Sequence, residues 1–286
     1  MMRDMGNGSG VAVLEVGGSH VTAAVVDPAG WRVELVERAK LDSRTTAERI
    51  VAQLGRAAEQ LPLKSGLVLA LPGPFDYESG VAWYRGVEKF DSLYGHDLGA
   101  SLRELLKLER ILFVNDAEAF SIGEWTAGEL RGADRCVGVT IGTGVGTAFL
   151  ADGRVVRTGD TVPPGGELYR TEYRDRPLED WISGRAILAA YVERVGEQDG
   201  IGVKEIADAA RSGSTVAREV LVDAFTVLAD ALTPWLERFG VTRVVLGGAI
   251  SGAFDLVEDV FAFDVTATDD TEHSALIGAA ARFVRD

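Results

Sequence analysis

Ile111-Leu112-Phe113-Val114-Asn115-Asp116-Ala117-Glu118-Ala119-Phe120 and, one element later, Cys136-Val137-Gly138-Val139-Thr140-Ile141-Gly142-Thr143-Gly144-Val145-Gly146 are the stretches that decide the fold. The first begins as an apolar β-type run, 111–114. It delivers a polar Asn-Asp pair where a helix-type pattern, 117–126, takes over. Such strand-to-helix junctions are where α/β proteins place ligand groups. The second stretch is a strand, 136–141, that runs into Gly142, Thr143, Gly144 and Gly146. Glycines at a strand end let backbone N–H groups come close to a ligand, as phosphate-cradling loops do. One segment therefore offers a carboxylate and then a candidate phosphate cradle.

Upstream, 11–16 reads as a strand entering Gly17-Gly18-Ser19, followed by strands at 20–27 and 31–38, a meander on tight turns. Residues 45–60 have helical spacing, with Thr45 or Thr46 as the cap. A strand at 66–71 is halted by Pro72-Gly73-Pro74, and 98–108 reads as a helix. The second half starts as the first does. When Glu15-Val16-Gly17-Gly18 is set against Thr140-Ile141-Gly142-Thr143, Gly17 falls on Gly142 and Ala23 on Ala148. The pattern is an internal repeat of a strand–glycine turn–strand unit, or else a chance likeness of two glycine hairpins. Downstream, 163–177 reads as a loop, and 178 to about 195 as one helix. Helices follow at 203–210 and 214–239. A strand at 241–246 ends in Gly247-Gly248, another strand lies near 261–267, and the last helix spans 274–284. No linker separates the halves, so the expected boundary is soft: a first α/β domain of 1–116 plus 271–286 and a second, larger one of 117–270.

Composition narrows the partners. The chain has 286 residues and a net charge of −15, which repels nucleic acid and anionic membranes. One cysteine, Cys136, excludes an intrachain disulfide and a cysteine-rich zinc site, and it reads as a small buried apolar residue. Residues 1–10 are polar and lack the apolar core of a signal peptide. No apolar run approaches the roughly 20 residues that span a bilayer. The expectation is a cytoplasmic protein with a small-molecule ligand, no nucleic acid, no membrane, and a homodimer as one possible assembly.

These motifs in this order resemble the ROK family (repressor, ORF, kinase) of sugar kinases, which has the two-domain actin-like, Hsp70-like ATPase fold with an inter-domain cleft. The resemblance covers nearly the whole chain. Leu14-Glu15-Val16-Gly17-Gly18-Ser19-His20 looks like the family's first phosphate motif and Leu71-Pro72-Gly73-Pro74-Phe75-Asp76 like its small-domain turn. Val114-Asn115-Asp116-Ala117-Glu118-Ala119 looks like its catalytic motif and Ile141-Gly142-Thr143-Gly144-Val145-Gly146 like its second phosphate motif. Gly166-Glu167-Leu168-Tyr169-Arg170 and Leu178-Glu179-Asp180-Trp181 sit where the family has its sugar glutamates. Val245-Leu246-Gly247-Gly248-Ala249 looks like its adenosine motif. The resemblance implies ATP and Mg²⁺ as cofactors and a sugar as substrate. Asp116 would be the base. Gly73, Asn115, Glu167, Arg170 and Glu179 would face the sugar, as would the region of Trp83 to Glu88. Gly17, Gly18, Ser19, Gly142, Thr143 and Gly144 would hold phosphates, Gly247 and Gly248 would line the adenosine, and Glu15 would help place the metal.

Several residues depart from the family pattern. Glu15 stands where the family usually has Asp. Tyr169 and Arg170 replace the glycine and histidine of Gly-Glu-x-Gly-His, and the zinc cysteines expected within 171–178 are missing. The expectation is therefore no zinc. Three readings stay open: an ATP-dependent kinase for a hexose or N-acylated hexosamine, a polyphosphate-dependent glucokinase, and a degenerate member that binds without catalysis. No helix-turn-helix precedes the first strand, which disfavours the repressor branch. The structural alternatives are plain: Asn115-Asp116 as a helix cap, Glu15 in a salt bridge, and Arg170 solvated. His20, His96 and His273 show no ligand spacing and read as surface or turn residues.

Overall fold

The computed structural model describes residues 10–86, 89–197, 200–268 and 270–286. The reading of the N-terminal stretch falls on residues 1–9, and part of the sugar-region reading falls on Glu88; both lie outside the described residues. The chain divides into two compact units, one running to Ala127 and including Glu272–Asp286, the other Gly128–Thr271.

In the first unit, β1 (Val11–Val16), β2 (His20–Asp27) and β3 (Arg32–Lys40) form the expected antiparallel meander. Helix α1 (Ala47–Glu59) follows, then β4 (Leu67–Leu71) and a small hairpin of β5 (Phe75–Asp76) and β6 (Val81–Ala82). Helix α2 (Leu98–Leu106), β7 (Ile111–Asn115) and α3 (Asp116–Ala127) complete this run. The sheet order is β3-β2-β1-β4-β7, with β4 parallel to both β1 and β7. Both faces of the central strands are covered, so β4 is an apolar run without alternation and β1 departs from one only at Glu15. Helix α1 buries Ile50, Leu54, Ala57 and Ala58, the i, i+4, i+7, i+8 stripe of an amphipathic helix. The Thr46 hydroxyl caps it by accepting from the Arg49 N–H.

In the second unit, β8 (Arg135–Ile141), β9 (Val145–Ala151) and β10 (Arg154–Val156) form another antiparallel meander. The hairpin β11 (Glu172–Tyr173) and β12 (Arg176–Pro177) precedes helices α4 (Glu179–Ile182), α5 (Gly184–Val195), α6 (Val203–Arg211) and α7 (Thr215–Phe239). Strands β13 (Arg243–Gly247) and β14 (Val265–Ala267) close a sheet of order β10-β9-β8-β13-β14, in which β13 runs parallel to both β8 and β14. The two sheets thus have the same order and the same sense of pairing. This matches the strand–glycine turn–strand repeat in the sequence. Helix α8 (Thr271–Arg285) returns the chain to the first unit.

The boundary falls after Ala127 rather than at Asp116 because α3 packs on α8. A Cβ on Gly123 would lie 1.8 Å from the Ser274 carbonyl oxygen, and one on Gly278 would lie 1.7 Å from that of Ala119. The backbones approach too closely for any side chain there. Beside this crossing the Ser274 hydroxyl donates to the buried Glu124 carboxylate at 2.6 Å.

Other departures from the sequence reading are local. The single helix expected from 178 to 195 breaks at Ser183, which is extended (φ −68°, ψ 159°) and accepts from the Ala186 N–H to cap α5. The loop expected at 163–177 contains the β11–β12 hairpin. It is tied down by Thr147, whose hydroxyl donates to the Gly166 carbonyl and accepts from the Leu168 N–H, both at 2.9 Å. Cys136 is fully buried, as read, and burial pushes its thiol up to about 12. Among the described residues no helix is long and apolar enough to cross a membrane.

Candidate phosphoryl-transfer site

The first unit assembles one group of site residues at the ends of β1, β4 and β7. Asn115 is the last residue of β7, paired with Leu71 at the end of β4. Its side-chain oxygen accepts from the Ala117 and Glu118 N–H groups at 2.9 and 3.1 Å, the bonding of a helix N-cap. Its amide nitrogen donates to the Tyr77 hydroxyl at 2.9 Å, and that hydroxyl donates to the Leu71 carbonyl. Asp116, the first residue of α3, shares the Ala117 N–H through Oδ1.

The Asp116 carboxyl is raised to about 6. Burial is the main cause, and the Glu15 carboxylate adds to it, while the Ala117 N–H and the Lys89 ammonium oppose the rise. A carboxylate raised to this range suits a general base near neutral pH. Tyr77 is held well above the usual phenol range by burial and by the Asp116 charge. Gly73 sits beside this group, where a Cβ would come within 3.5 Å of the Tyr77 hydroxyl. Trp83, whose N–H donates to the Pro74 carbonyl, exposes 46% of its surface and meets Tyr94 edge-on at 5.6 Å.

Gly17, Gly18 and Ser19 form the tight turn between β1 and β2, closed by the Gly17 N–H donating to the His20 carbonyl. The Lys89 side chain lies against Gly18, its Cδ 3.1 Å from where a Cβ would be. Lys89 thus stands near both the turn and Asp116, a role that nothing in its local sequence signals. Glu15 points from β1 to His20 of β2 at 3.5 Å, and its Oε2 is buried without a hydrogen-bond donor. His20 is not the surface or turn residue expected. It is half-buried between Glu15 and Glu272 of α8, and the neighbouring Glu15 raises its pKa above the usual imidazole value.

The second unit gathers the other group at the ends of β8 and β13, neighbouring parallel strands. The Gly142 N–H donates to the Gly144 carbonyl, and the Gly142 carbonyl accepts from the Gly184 N–H at 2.9 Å. Gly248 has φ +90°, and a Cβ there would sit 2.3 Å from the Ile141 carbonyl oxygen. Only glycine fits a left-handed backbone at that approach. Gly142, Thr143, Gly144, Gly247 and Gly248 are thereby brought to one end of one sheet.

The two expected sugar glutamates are both engaged. Glu179 Oε1 accepts from the Val145 N–H at 2.9 Å, tucked where Gly144 lacks a side chain. Glu167 pairs with Arg170, whose guanidinium also lies 5.5 Å over the Tyr169 ring. Arg170 is solvated as well as paired: 53% of its side chain is exposed while it neutralises Glu167.

The ROK family profile matches residues 11–282. The chain is 26% identical to the glucokinase of Thermotoga maritima over 93% of this chain and 95% of that one. It is 25% identical to the N-acetyl-D-glucosamine kinase of Haemophilus influenzae, with 83% of each covered. The crystal structure of a ROK family glucokinase from Streptomyces griseus, solved with glucose and AMPPNP, superposes with a TM-score of 0.78 at 21% identity, covering 97% of this chain and all of that one. The fold is the actin-like ATPase fold, and the chain belongs to the ROK family.

Proposed function

We propose that this chain is an ATP- and Mg²⁺-dependent sugar kinase that transfers the γ-phosphate to a hydroxyl of a hexose or an N-acylated hexosamine. The observation that carries the reading is Asp116, a half-buried carboxylate raised to about 6 beside a helix cap that Asn115 already fills. Asp116 accepts the proton of the sugar hydroxyl, that oxygen attacks the γ-phosphorus, and the bond to the β-phosphate oxygen breaks to release ADP. Such transfer depends on positioning and charge neutralisation. Asn115 and Gly73 orient the sugar beside Asp116, and Lys89 supplies a cation near the phosphates. The glycine turn Gly17–Ser19 offers backbone N–H groups to phosphates, as does the glycine turn Gly142–Gly144, and Gly247 and Gly248 leave room for the adenosine. The buried, undonated Oε2 of Glu15 fits a carboxylate that faces a cation. Mg²⁺, when bound, neutralises charge on the phosphates.

One observation favours a second reading, a ROK protein that binds without transfer: Arg170 and the Val145 N–H engage Glu167 and Glu179, the two carboxylates expected on the sugar. An ADP-release assay across hexoses and N-acylhexosamines, run with ATP and with polyphosphate, separates the readings. The kinase reading expects sugar-stimulated turnover with ATP. Absence of stimulation by every sugar with either donor contradicts it.

A further inference from the structure

The cluster of Glu15, His20 and Glu272 has the makings of a metal site distinct in chemistry from a Mg²⁺–nucleotide site. Strand pairing sets it up. Glu15 of β1 lies opposite Thr22 of β2, and Thr22 lies opposite Arg38 of β3, so the three side chains share one face of the sheet. His20, two residues before Thr22, shares that face. The first turn of α8 brings Glu272 to the same row, where its Oε1 accepts from the Thr22 hydroxyl at 3.1 Å.

Two of the three donor separations match the spacing of ligands around a transition metal. His20 Nε2 stands 3.5 Å from Glu15 Oε2 and 3.4 Å from Glu272 Oε2, and one donor atom from each residue falls within 4.8 Å of the others. Ligands about 2.0–2.2 Å from a metal at tetrahedral angles stand about 3.3–3.5 Å apart. Both imidazole contacts are long for hydrogen bonds. A second observation concerns burial: Glu15 Oε2 is buried with no closer donor than the His20 imidazole at 3.5 Å, and a buried carboxylate oxygen so weakly satisfied is costly. The His20 ring is 30% exposed, which leaves an entry path.

We propose that Glu15, His20 and Glu272 bind a divalent transition-metal ion of the zinc, cobalt or nickel class. The imidazole nitrogen selects against Mg²⁺, which prefers oxygen donors. Arg38 is the cation beside these carboxylates, with Nη1 2.6 Å from Glu272 Oε2. Its side chain is 53% exposed, so it can swing to solvent when the metal enters. The bound ion ties the start of α8 to the β1–β2 hairpin. The site is unrelated to the absent cysteines of 171–178. Where Glu15 also faces Mg²⁺, the ion competes with turnover. That consequence rests on the proposed function; the binding does not.

The test uses the full chain, stripped of metal and free of nucleotide and sugar, titrated with Co²⁺ and followed by visible absorption. One saturable equivalent is expected, undisturbed by excess Mg²⁺. His20→Gln and Glu272→Gln should each weaken Co²⁺ binding by at least the roughly 10–100-fold that even outer-shell changes cost. Arg38→Gln keeps every ligand and removes the competing cation, so it should bind Co²⁺ more tightly than wild type. Co²⁺ should also raise the melting temperature of wild type and Arg38→Gln but not of His20→Gln. No saturable binding, binding unchanged in His20→Gln, or binding not tightened in Arg38→Gln would overturn the proposal.

Discussion

Asn115 and Asp116 divide one helix N-terminus between them. Asn115 takes the N–H groups of Ala117 and Glu118, and Asp116 shares only the first of these. The polar pair at a strand-to-helix junction therefore contains both the amide that caps the helix and a carboxylate that the cap does not require. Asp116 is charged at neutral pH at a cost in stability, since burial raises it to about 6 from the ordinary 3.8.

That cost gives the first prediction. A carboxyl whose folded pKa lies above its unfolded value favours the folded state most when protonated. Stability therefore rises as pH falls through 6 towards 3.8. Asp116→Asn removes the charge, and at pH 7.5 it should be more stable than wild type. A rise of about two units corresponds to at most about 3 kcal/mol. Partial exposure lowers the expected gain to about 1–2 kcal/mol. Denaturant melts of both proteins at pH 7.5 and pH 5 check it: the advantage should shrink at the lower pH.

The same group should govern the acid limb of turnover. If Asp116 accepts the hydroxyl proton, kcat/KM should fall below an apparent pKa of about 6, because the protonated carboxyl cannot act as base. A pH–rate profile from 5 to 8 with saturating Mg-ATP reads this directly. A flat profile across that range would remove Asp116 from the base role.

Asn115→Ala should destabilise the first unit. It deletes the cap of α3 and the amide donor to the Tyr77 hydroxyl. Loss of a cap typically costs about 1 kcal/mol, and a lost buried partner adds a similar amount. The expected change in unfolding free energy is about 1–3 kcal/mol, measured by urea titration. Asn115→Asp, which can still cap, should recover much of it.

Two glycines of the second unit should respond differently to the same change. Gly248→Ala places a methyl 2.3 Å from the Ile141 carbonyl oxygen on a backbone at φ +90°, so it should destabilise by more than about 1 kcal/mol. Gly142→Ala meets nothing within 4 Å and should leave the melting temperature nearly unchanged. Loss of nucleotide binding in Gly142→Ala without loss of stability would mark that position as a ligand contact.

The sequence revealed the parts of this molecule that are written locally. The apolar run of β7 followed by Asn115-Asp116, the glycine turns after β1 and β8, and the strand–turn–strand repeat all follow from a few adjacent residues. The placements of His20, Lys89 and Glu272 were not legible. His20 meets Glu272 only because α8 returns to the first unit, and it shares a face with Glu15 and Arg38 only through the register of β1, β2 and β3. Likewise Glu179 reads as an open carboxylate until the β8–β9 turn is seen to donate the Val145 N–H to it. The break at Ser183 was hidden because its hydroxyl caps a helix inside what reads as one helical run.

The most direct test of the account compares turnover and sugar affinity in Asp116→Asn, using the sugar that stimulates wild-type turnover best. Asparagine keeps the shape and one acceptor but cannot take a proton at this position. Turnover should fall by about 10²- to 10⁴-fold, while the dissociation constant for the sugar, measured by calorimetry, should change far less. Full turnover in a folded Asp116→Asn protein would contradict the mechanism.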